Sequence, residues 1–121
     1  MSKFMISFGA NAMEGIPDEE MPAVADAAHA VVQEMLNAGA FVLAGGLANR
    51  RASIVATDGT VTDGLGPEAI GGVTVVDVST REEALEWAAK IAVACRCAQE
   101  VWEIGQDPKL EAMLDQAGIK G

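Results

Sequence analysis

Basic residues are scarce in this chain. Eight Lys and Arg stand against 18 Asp and Glu, a formal net charge of −10. Nucleic acid and anionic membrane surfaces both call for a basic face, so both are excluded as partners. Half of the 121 residues are apolar, yet no run of 18 or more is free of charge, so no membrane span is expected. The N-terminus carries a single lysine and no long apolar region ahead of a small-residue cleavage site. No signal peptide is expected there, and the chain reads as cytoplasmic. Cysteine is nearly missing: Cys95 and Cys97 are the only two, one residue apart. A bridge between such close neighbours is strained, and two thiols with no histidine nearby make no zinc site. They read as reduced thiols near a helix end, one facing the core, in a reducing compartment. There is no Walker loop, dinucleotide fingerprint or nucleophile elbow, so neither a metal nor a cofactor is expected. A single histidine, His29, is left for imidazole chemistry.

What the chain has is a strand running straight into a helix at residues 71–90. Val73, Val75, Val76 and Val78 are β-branched and suit a buried pleated surface. Thr80 with Glu83 forms a capping box, after which Ala84, Trp87, Ala88 and Ile91 recur at helical spacing. Residues 3–9 read as a first strand. A helix is expected from about residues 18–22, capped by Asp18 and striped by Val24, Ala28, Val31, Val32 and Met35, with Gly39 ending it. Residues 40–44 read as a second strand closed by Gly45 and Gly46. Short strands near 52–57 and 60–62 flank Asp58-Gly59, a two-residue hairpin signal. Residues 98–104 read as a last strand. Asp107-Pro108 opens a short helix striped by Leu110, Met113, Leu114 and Ala117, too short to be stable alone.

This order predicts an α+β, two-layer ferredoxin-like sandwich, with a mostly antiparallel sheet, helices on one face and a short C-terminal helix. Residues 1–105 make the domain and 106–121 the helical extension. The valines of residues 73–78 cannot all point one way, so the second sheet face is apolar too, and a homodimer covering it is expected.

Four segments carry a resemblance. They are Lys3-Phe4-Met5-Ile6-Ser7-Phe8; Glu34 to Gly39 followed by Val42-Leu43-Ala44-Gly45-Gly46-Leu47; Thr62-Asp63-Gly64; and Gly71-Gly72 through Glu83-Ala84-Leu85-Glu86-Trp87-Ala88. Together they span residues 3–104 and resemble the YCII-related family, in the branch named for an Asp-Gly-Pro-Phe motif. Here Asp63-Gly64 is followed by Leu65-Gly66 in place of Pro-Phe. The resemblance implies a ferredoxin-like fold of the dimeric α+β barrel type and a homodimer with facing sheets. It also implies, in some relatives, a helix-borne histidine paired with an aspartate in a cleft between sheet and helices.

His29 lies on the first predicted helix, at the margin of its apolar stripe. Asp26, three residues back, and Asp63, at the mouth of the glycine-rich loop, are the carboxylates that can orient it. Read as an acid–base dyad, this makes the chain a small enzyme of lyase or isomerase type, acting on a small aromatic or carbonyl substrate. A half-exposed surface histidine and a turn aspartate are the alternative. Gly45, Gly46 and Gly64 can bring backbone amides to an anion, or simply turn the chain. Arg50 and Arg51 suit a carboxylate or phenolate ligand, or a solvated hairpin entrance. A non-catalytic small-molecule-binding or regulatory dimer stands beside the enzyme reading.

Overall fold

The computed structural model describes residues 1–47, 52–64 and 69–119. The chain runs β1 (Ser2–Gly9), a 3-10 turn (Asp18–Glu20), α1 (Met21–Ala38), β2 (Phe41–Gly46), β3 (Ser53–Val55), β4 (Val61–Asp63), β5 (Ile70–Val78), α2 (Arg81–Cys95), β6 (Glu100–Glu103) and α3 (Pro108–Gln116). Four strands form one sheet in the order β2-β5-β1-β6, and β3 and β4 pair as a separate hairpin. Every neighbouring pair in both is antiparallel. β1-α1-β2 and β5-α2-β6 are therefore two βαβ units, each leaving room for one strand of the other. This is an α+β fold with a mostly antiparallel sheet, and among the described residues no helix is long and apolar enough to cross a membrane.

Strand alternation divides the sheet cleanly. Phe4 and Ile6 of β1 face the same way as Val76 of β5, whose pairing with Phe4 fixes the register. These residues are buried together with Val31 and Met35 of α1 and Ala84, Ala88, Ile91 and Ala94 of α2, so both long helices cover one face. Alanines on α2 let that helix lie close to the sheet. Thr80 caps it by accepting a hydrogen bond from the Glu83 amide at 3.2 Å. Lys90 ties α2 to Glu34 of α1 at 2.7 Å while sitting over the Trp87 ring.

Among the described residues no helix covers the opposite face. Leu43, Val75, Met5 and Trp102 are direct cross-strand partners in one row across all four strands. Leu43 is 48% and Trp102 56% exposed.

Three expectations need correction. Asp18 does not cap α1: the three acidic residues 18–20 wind into a 3-10 turn, and α1 starts after Glu20 with no side-chain cap. Pro22 sits in its first turn, where the missing N–H costs nothing. The hairpin loop has three residues, not two. Gly59 N–H donates to Ala56 O, Ala56 N–H donates to Thr60 O, and Gly59 takes φ 87°, a type I turn followed by a left-handed bulge. Gly45 and Gly46 lie inside β2 and pair with Val73 and Gly72. In α3, only Leu114 of the apolar stripe is even half-buried, with Leu110 and Met113 exposed. The Asp107 cap of α3 forms as expected, accepting from Leu110 N–H at 3.1 Å.

Candidate functional site

His29 sits on α1, the helix that β1 and β2 hold across the sheet. The stripe that anchors α1 (Val24, Val31 and Met35) is buried. His29 is exposed at the side of that stripe, and it borders a cleft of about 340 Å³ between α1 and the sheet. A cleft of this size suits a small molecule. The walls are largely apolar: Ala28, Val32 and Met35 from α1, Phe8 from β1, Phe41 and Ala44 from β2, and Ile91 from α2. The lining residues that carry polar side chains are His29, Thr74 and Cys95, and Gly45 and Gly46 line it as well. Thr74 is there because β5 alternates: it lies between the buried partners Gly72 and Val76 on the helix-facing side.

The structure brings only some of the expected residues to this cleft. His29, Gly45 and Gly46 line it; Asp26 and Asp63 do not. Asp26 is exposed on α1, one helical turn before His29. Asp63 ends β4, where its carboxylate accepts a hydrogen bond from Ser53 Oγ at 2.8 Å. Gly64 N–H donates to Ala52 O at the open end of the same hairpin, so that amide is used in strand pairing. Arg50 and Arg51 lie outside the described residues, as do Leu65 and Gly66.

Phe8, Phe41, Thr74 and Cys95 were not expected at the site. Phe8 continues the alternation of Phe4 and Ile6, and Cys95 follows Ile91 by one helical turn. Both signals read as core until the strand order places them at a cleft. Both cysteines are free. Burial pushes the Cys95 thiol above its ordinary value, with a smaller contribution from nearby Cys97. Burial likewise pushes Cys97 up, against a hydrogen bond from Gln99. Both therefore stay protonated at neutral pH and contribute soft, neutral surface, not a thiolate nucleophile.

A larger hollow, about 470 Å³, lies at the other end of the helix layer beside Trp87. Its carboxylates are Asp77, Glu83 and Glu86, and its lysine, Lys90, is already paired with Glu34. It holds no histidine and fewer apolar walls. The His29 cleft is the better candidate.

No protein-family model and no curated protein matches the chain.

Proposed function

We propose that the chain is a ferredoxin-like protein of the YCII-related type. In this reading it works as a homodimer and uses His29 as general acid or base on a small aromatic or carbonyl substrate held between sheet and helices. One observation carries the proposal: the sole imidazole of the chain borders a largely apolar cleft of about 340 Å³. An apolar cleft with one titratable group suits proton transfer to or from a small organic molecule. The two interleaved βαβ units support the ferredoxin-like assignment. The apolar row on the second sheet face supports the dimer.

His29→Gln tests it. The residue is exposed, so the fold is expected to survive. Against a panel of small phenols and ketones, the variant is expected to lose turnover while keeping ligand-induced thermal stabilisation. Turnover equal to that of the parent protein would remove His29 from the chemistry.

A second reading is favoured by the lining itself. No carboxylate among the described residues lines the cleft to orient the imidazole. A non-catalytic binding module would show stabilisation by ligand and no turnover in the unaltered protein.

A further inference from the structure

Resting on the reading of this cleft as a small-molecule site, we infer that Gly72 sets its capacity by giving the Phe8 ring a place to lie flat as part of its floor. Phe8, Gly72 and Gly46 are cross-strand partners in one row on the helix-facing side, and only one of the three has a side chain. A Cβ on Gly72 would come 2.5 Å from Phe8 Cζ and 2.6 Å from Cε1, with Gly45 O at 3.3 Å. Carbon atoms do not approach within about 3.5 Å without repulsion. The ring therefore fills the space a side chain at 72 would need, lying over β5, where a Cβ on Gly71 would also come 3.0 Å from Phe8 Cε2. Phe8 also lines the cleft, so a ring lifted off Gly72 enters the volume a ligand would use. Gly46 is different: a Cβ there meets nothing nearer than Gly71 O at 3.9 Å.

An aromatic ring over a sheet glycine also stabilises the sheet. That role alone predicts a change in stability and none in what the cleft admits. Rescue separates the two.

The probe is indole, followed by NMR through the ring signals of the single histidine. Gly72→Ala is expected to weaken indole binding by about tenfold or more, as overpacked sites do. The double variant Gly72→Ala, Phe8→Ala should regain it, and Gly46→Ala should bind like the parent protein. Parent-like binding by Gly72→Ala, or no rescue in the double variant, overturns the inference. If the unaltered protein shows no indole-dependent shift, the functional reading of the cleft fails. The role of Gly72 is then read without ligand. In Gly72→Ala the nuclear Overhauser contacts from the Phe8 ring to Ala28 and Val32 should strengthen relative to those to Gly71, which the ring also borders, and unchanged contacts overturn it. If Gly72→Ala does not fold, Phe8→Ala alone carries the test. It should favour 2-naphthol over indole more than the parent does, and an unchanged preference overturns the inference.

Discussion

Arg96 ends α2 at φ 57° and ψ 36°, and it is the only residue other than glycine with positive φ among the described residues. A side chain in that left-handed region costs roughly 1–2 kcal/mol. Its guanidinium pairs with Glu20 at the start of α1, but both groups are close to half exposed, so the pair returns at most about 1 kcal/mol. Arg96→Gly is therefore expected to leave the protein as stable or up to about 1 kcal/mol more stable in urea unfolding. A loss above that size would make the link to Glu20 the stronger effect. The two thiols give a pH prediction. Their folded-state pKa values are raised by burial, so the folded state holds these protons more tightly than the unfolded chain. The stability this contributes is fully present below the ordinary thiol value of about 8.5 and is lost as pH rises through the raised folded values. Cys95→Ala should flatten the alkaline fall in urea midpoint, and an unchanged slope would assign that fall to other groups. At this scale the sequence already singled out His29, because it is the only imidazole. Phe8 and Thr74 were hidden, because a residue's place in the cleft depends on which strands become neighbours across the whole chain.

α2 and β5 were legible as elements because their signals are local: a threonine cap, a valine run and alanines at helical spacing. Thr80→Ala removes the hydrogen bond to Glu83 N–H and is expected to cost about 1 kcal/mol, read by thermal or urea unfolding. A cost below about 0.3 kcal/mol would mean that the sheet packing alone sets where α2 begins. Trp87 shows the limit of the same stripe. Helical spacing puts it on the apolar side, yet it is only partly buried, with Lys90 over its ring. Its replacement by alanine should cost less than the roughly 3–5 kcal/mol of a fully buried aromatic. α1 starts at Met21, within the expected window, but its Asp18 cap does not form, because Asp18, Glu19 and Glu20 suit a first helical turn whether its backbone is α or 3-10. Pro17 holds extended backbone before the turn, at φ −59° and ψ 144°, and α1 follows directly at Met21. The hairpin was misread by one residue for a similar reason. Asp-Gly serves a two-residue turn and a three-residue bulged turn equally well, and the pairing of Val55 with Val61 selects the second.

For the whole molecule, the α+β order was readable from alternating elements, while nothing local in the sequence says what meets the second sheet face. The row Leu43-Val75-Met5-Trp102 puts four large apolar side chains on a face that no helix among the described residues covers. Ile104 pairs with Lys3 next to that row and is itself exposed. Leu110 and Leu114 of α3 border the same corner, beside Lys3 and Ile104. An apolar surface of this kind raises the cost of staying monomeric, and a second copy offers the same row for self-complementary burial. Leu43→Glu decides the matter. The side chain is 48% exposed in the single chain, so the charge should change monomer stability by no more than about 0.5 kcal/mol. In a dimer built on this face, the same change buries a carboxylate in each protomer without a partner, which is strongly unfavourable. Light scattering coupled to size exclusion is expected to give a dimer mass for the parent and a monomer mass for the variant. The thermal midpoint of the parent alone should rise with concentration. A parent that runs as a monomer would mean this face is simply solvated. A variant that stays dimeric would move the interface elsewhere, with the α3 stripe of Leu110 and Met113 the first surface to mutate.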